Sequence, residues 1–166
     1  MAEITLKGKI IHTVGDLPSV GEDAPNFNLT QTNMNDISLN QYRGQKVVLN
    51  IFPSIDTPVC ATSVRRFNLE VSTLNNTAML CVSRDLPFAH ARFCGAEDLK
   101  NVTSVSELRS GEFGDSYGIR IIDGPLAGLF ARAVVVLDEA GKVLYTQLVP
   151  EIAEEPDYQG VLSVLS

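Results

Sequence analysis

Apolar and polar positions along the 166-residue chain fall into segments with two different periods. Ile4-Thr5-Leu6 and Lys9-Ile10-Ile11-His12 flank Lys7-Gly8, the pattern of a short N-terminal hairpin. Asp16 to Pro25 holds two prolines, a glycine and polar breakers and reads as a connector. A strand is predicted over Phe27 to Thr30, and Val47 to Phe52 is apolar enough to be buried on both faces. From Pro58 to about Leu74 the apolar residues Cys60, Val64, Phe67, Val71 and Leu74 are spaced four, three, four and three apart, which marks one face of a helix. Ala78 to Ser83 is a second buried strand, and Pro87 to Phe93 a short helix stopped by Gly95. A further helical piece is expected over Glu112 to Tyr117, ahead of a Gly-Pro loop at Asp123 to Gly128. Ala133 to Leu137 and Val143 to Leu148 are strands joined by a tight turn at 138–141, and Asp157 to Leu165 is a closing helix behind Pro156.

The order β, βαβα, β-hairpin, α suits a mixed central sheet flanked by helices on both faces, a thioredoxin-like α/β domain with an N-terminal β-hairpin extension. Residues 1–166 are expected to form one domain, since a chain of this length supports a single sizeable core. The helix that follows Val47–Phe52 begins at the carboxyl edge of the sheet, where open α/β sheets place their active sites.

Composition narrows the function. With 45% hydrophobic and 20% charged residues the chain reads as globular. A net charge of −7 and no basic cluster longer than Arg65-Arg66 argue against nucleic acid. No apolar run approaches the roughly 20 residues of a membrane span, and MAEITLKGKIIHTVGD has no apolar signal core, so a cytoplasmic location is expected. In a reducing compartment the three cysteines are not expected to form a static disulfide framework.

The chemistry concentrates at Pro53-Ser54-Ile55-Asp56-Thr57-Pro58-Val59-Cys60. Thr57 as N-cap and Pro58 as first helical residue put Cys60 in the first turn, where free N–H groups and the helix dipole favour an anion such as a thiolate. The stripe shared with Val64 and Phe67 by itself suggests an inert core thiol, and the helix start leaves both readings open until a cation is found beside the sulfur. Arg132, immediately before the strand Ala133–Leu137, is the candidate cation; alone it would read as a surface arginine. Cys94 ends a helix, where the dipole disfavours a thiolate, and is a candidate second partner or an unrelated thiol. Cys81 lies in a buried strand and reads as packing.

These residues carry a resemblance. Pro53-x-x-x-Thr57-x-x-Cys60 resembles the peroxidatic motif of the peroxiredoxins. Asp85-Leu86-Pro87-Phe88-Ala89, Arg92-Phe93-Cys94-Gly95, Asp123-Gly124-Pro125-Leu126, Ala131-Arg132-Ala133 and Glu155-Pro156-Asp157-Tyr158 resemble its bacterial thiol peroxidase branch, the atypical two-cysteine type. The resemblance implies a thiol-dependent peroxidase that reduces hydrogen peroxide and alkyl hydroperoxides to water and alcohols in antioxidant defence. It implies that Cys60 is the peroxidatic nucleophile, that Thr57 and Arg132 hold thiolate and peroxide, and that Pro53 shields the pocket. It further implies that Cys94 resolves the Cys60 sulfenic acid as an intramolecular disulfide, which thioredoxin reduces. No cofactor or metal is implied; a homodimer is.

Rival readings are weaker. A disulfide exchanger would carry Cys-x-x-Cys at the helix start, and 53–59 holds no cysteine. A cysteine hydrolase needs a histidine base, but His12 and His90 both read as surface residues. Cys60, Cys81 and Cys94 lack zinc-ligand spacing. A redox sensor shares the thiolate and differs in turning over once. Leu126, Leu129 and Phe130 read as a packed loop, with a substrate groove or dimer contact as the alternative.

Overall fold

The structure is a computed structural model and describes residues 1–165. The N-terminal hairpin pairs β1 (Glu3–Leu6) with β2 (Lys9–His12). Its two-residue turn puts Lys7 at φ 50° and Gly8 at φ 80°, the left-handed pair whose twist matches a two-residue hairpin loop. Ile4 and Ile11 stand opposite each other and are buried, so one side of the hairpin faces the core.

A seven-stranded sheet follows the order β4-β3-β7-β6-β5-β8-β9. Its strands are β3 (Asn28–Gln31), β4 (Asp36–Ser38), β5 (Lys46–Ile51), β6 (Thr77–Ser83), β7 (Thr103–Ser106), β8 (Ala133–Leu137) and β9 (Val143–Leu148). Central β5 runs parallel to β6 and antiparallel to β8. Strand alternation splits the core in two. Val47, Leu49 and Ile51 of β5, with Leu80 and Val82 of β6, point to the side that also buries the hairpin's Ile4 and Ile11 and Phe113 of short α3 (Phe113–Ser116). Val48, Met79, Cys81, Val134 and Val136 point to the side covered by α1 (Pro58–Val71), α2 (Pro87–Glu97) and α4 (Tyr158–Ser163). On α1 the stripe Cys60, Val64, Phe67 and Val71 is buried there, and Phe67 meets Tyr158 of α4 edge-on at 5.0 Å.

Several expectations need correction. The second helix is not stopped by Gly95: it runs on to Glu97 and ends at Asp98, whose φ of 54° turns its N–H back to the carbonyls of Cys94 and Gly95. Glycine inside a helix costs only about 1 kcal/mol, so the helix passes through Gly95 to the left-handed stop at Asp98. The sequence pattern missed β4, a 3-10 turn at Leu39–Tyr42, and β7. Thr103-Ser104-Val105-Ser106 carries one strong apolar residue, and its strand exists because β6 and β3 pair it on both edges. His90 is not a surface residue; it is fully buried on the inner face of α2.

Candidate active site

Chain geometry brings distant residues to the start of α1. Pro58 occupies the first helical position, Thr57 the N-cap position, and Cys60 the first turn, as the sequence predicts. Thr57 does not cap with its side chain. Its hydroxyl donates to the Ser54 carbonyl at 2.8 Å, which leaves the oxygen free to accept but not to donate elsewhere.

Cys60 has no exposed surface, and the Nη2 of Arg132 lies 3.4 Å from its sulfur across 72 residues of sequence. Arg132 stands just ahead of β8 and is only 2% exposed. Its Nε donates to the Ile152 carbonyl at 2.9 Å, which fixes the plane of the guanidinium. Its Nη1 is buried with no hydrogen-bond partner among the described residues. A buried cation with a spare donor costs free energy unless an anion or a ligand oxygen completes it. The sulfur therefore sits next to a fixed positive charge, a feature that an inert core thiol does not need.

Arg132 and the residues just ahead of Cys60 border a pocket of about 350 Å³. Pro53, Thr57, Pro58 and Val59 form one wall, Leu126, Leu129 and Arg132 another, and Leu6, Lys7, Ile152 and Ala153 a third. Apart from Arg132, Thr57 and Lys7 the lining is apolar. Leu126 and Leu129 thus border the pocket, whereas Phe130 is fully buried in the core.

Cys94 is placed elsewhere. It faces Ser104 of β7, sulfur to hydroxyl at 3.3 Å, and borders a separate pocket with Gln31, Asn33 and Leu99. All three cysteines are free thiols. Cys81 is fully buried on β6, and burial pushes its thiol up to about 12, so it stays protonated at neutral pH.

Sequence reasoning missed the residues that frame this site. Asp85 accepts hydrogen bonds from the Ser54 hydroxyl (2.8 Å), the Ile55 N–H (2.7 Å) and the Ser83 hydroxyl (2.6 Å), bracing the loop between Pro53 and Thr57. Because Ser83 donates to Asp85, it accepts from His90 Nε2 at 3.0 Å. Burial holds the His90 imidazole below its ordinary pKa, so it is neutral there. Arg92 on α2 reaches Asp56 of the same loop at 2.5 Å. The loop before Cys60 is thereby tied twice to the helix that carries Cys94. The available signal was Asp85 itself, a carboxylate two residues after the end of a buried strand.

Comparison with known proteins identifies the family. The Redoxin family model matches residues 19–162. A thiol peroxidase of Mycobacterium tuberculosis is 56% identical over 165 residues, 99% of each chain, and one of Corynebacterium glutamicum is 52% identical over the full length of both. A peroxiredoxin-like protein of Aquifex aeolicus superposes with a TM-score of 0.94 at 37% identity, covering 99% of this chain and 96% of that one. A buried thiol beside a fixed arginine is what thiol-dependent peroxide reduction requires, and with such relatives along its whole length the chain belongs to the thiol peroxidases of the peroxiredoxin family.

Proposed function

We propose that Cys60 is the peroxidatic nucleophile of a two-cysteine cycle. The observation that carries this is the 3.4 Å approach of Arg132, which lines an apolar pocket, to the buried Cys60 sulfur. The Cys60 thiolate attacks the terminal peroxide oxygen; an S–O bond forms as the O–O bond breaks. The alkoxide or hydroxide leaves and takes up a proton, giving alcohol or water and a sulfenic acid. Arg132 stabilises charge on sulfur and on the breaking O–O bond, and its spare Nη1 donor is available to a peroxide oxygen. Thr57, whose own proton is committed to Ser54, accepts the peroxide O–H and orients it. Pro53 contributes an apolar wall that excludes water. The apolar lining supports organic hydroperoxides as substrates besides hydrogen peroxide.

Cys94 then resolves the sulfenic acid, expelling water and forming an intramolecular disulfide that thioredoxin reduces. A disulfide needs Cα atoms within about 7 Å, and Cys94 faces Ser104 at a different pocket from the one beside Cys60. The cycle therefore includes local unfolding of the first turn of α1 and the last turns of α2. The reading includes a single domain over 1–166, a cytoplasmic location, which suits three free thiols, and a homodimer.

The test follows NADPH loss with thioredoxin, thioredoxin reductase and an organic hydroperoxide. Cys60→Ser is expected to be inactive, Cys94→Ser to lose recycling by thioredoxin, and Cys81→Ser to stay near normal. Activity surviving in Cys60→Ser refutes the assignment.

A further inference from the structure

The third wall of the pocket is built from two segments far apart in sequence, the tip of the N-terminal hairpin (Leu6 and Lys7) and residues 152–153. One carboxylate joins them. Glu151 Oε1 accepts the Gly8 N–H at 2.9 Å and the Thr5 hydroxyl at 3.1 Å, while Oε2 accepts the Ala153 N–H at 3.0 Å. Around it the main chains are stitched together, Thr5 N–H to the Pro150 carbonyl at 2.8 Å and Ile152 N–H to the Thr5 carbonyl at 2.9 Å. Ile152 is the residue whose carbonyl fixes Arg132 Nε. The hairpin tip and the aim of the arginine thus share one short segment.

We infer that Glu151 is a positioning residue that sets selectivity for bulky organic hydroperoxides, by latching the hairpin tip onto the segment beside Arg132. The inference rests on the reading of the apolar pocket as the seat of the organic group. Hydrogen peroxide needs only the sulfur, Thr57 and Arg132. A bulky hydroperoxide needs the third wall as well, and Glu151 joins the two segments that build it. The donors from Ala153 and Gly8 hold the Glu151 carboxyl at about 2, so the latch is closed throughout the neutral range. Glutamine keeps the shape but replaces one acceptor oxygen with an NH₂ group, which then meets an N–H donor. Arg132 keeps its main-chain anchor in that variant, since its carbonyl still accepts from the Val149 N–H at 2.9 Å.

The experiment measures kcat/KM for cumene hydroperoxide and for hydrogen peroxide in wild type, Glu151→Gln, Thr5→Val and Leu129→Ser. Glu151→Gln is expected to lower the cumene value about tenfold, mostly through KM, with the hydrogen peroxide value within about threefold. Thr5→Val, which removes one donor to the latch, shifts the ratio the same way by less. Equal loss on both substrates in Glu151→Gln and Thr5→Val overturns the proposal, because a merely structural residue would produce that. An unchanged ratio in Glu151→Gln with a lowered one in Leu129→Ser also overturns it, and leaves the pocket reading standing. If Leu129→Ser and Glu151→Gln both leave the ratio unchanged, the pocket does not seat the organic group, and reading and proposal fall together.

Discussion

Arg132→Met isolates the charge beside the nucleophile. Methionine fills similar space and removes the cation that stands 3.4 Å from the Cys60 sulfur. At an effective dielectric of about 20, a unit pair at 3.4 Å attracts by about 5 kcal/mol, a ceiling of roughly 4,000-fold in rate. Part of that is offset, because wild-type Arg132 is 2% exposed and bears the cost of burial. A loss of about 10²- to 10³-fold in the rate of Cys60 oxidation is therefore expected, the range found when one preorganised electrostatic donor is removed. The stability change should be modest, because removing the buried Nη1 that has no partner among the described residues offsets the Ile152 carbonyl left without its Nε donor. Stopped-flow oxidation by hydrogen peroxide reads the first quantity and urea unfolding the second. Oxidation within tenfold of wild type would refute the electrostatic role, and a joint collapse of rate and stability would reassign Arg132 to the fold.

Three further outcomes follow from the surroundings of the site. Asp85→Ala strands three donors around the loop before Cys60 and should cost about 2–3 kcal/mol, a fall of roughly 4–12 °C in thermal midpoint, together with a slower peroxide reaction; an unchanged midpoint refutes the brace. His90 is held neutral by burial, so the unfolded chain binds its proton first: stability is full above about pH 6.5 and declines as pH falls below that. His90→Leu should flatten that slope in urea unfolding between about pH 7.5 and 5.5, and a slope equal to wild type would count against it. Cys81, pushed up to about 12, should resist iodoacetamide at pH 8 in the folded protein while Cys94 reacts; rapid labelling of Cys81 by mass spectrometry would contradict its burial.

Local pattern alone determined much of this protein. Steps of three and four residues placed Cys60, Val64 and Phe67 on one buried helical face, because a helix repeats its contacts at that spacing. Thr57-Pro58 located the helix start, since proline loses nothing there, and the strands Ala133–Leu137 and Val143–Leu148 were legible to the residue. Family resemblance, carried by motifs from Pro53 to Tyr158, pointed to thiol-dependent peroxide chemistry.

What pattern could not supply is contact across the chain. Thr103–Ser106 is a strand only because its neighbours pair it, and His90 is buried only because α2 is pressed onto Ser83 and Asp85. The sequence placed Cys60 at a helix start but left open whether it was a reactive thiol or a packed one. That choice depends on the field at the sulfur, and the field comes from Arg132, aimed by the carbonyl of Ile152. Charge acts through space, and only the folded chain puts residues 60, 132 and 152 in the same few ångströms.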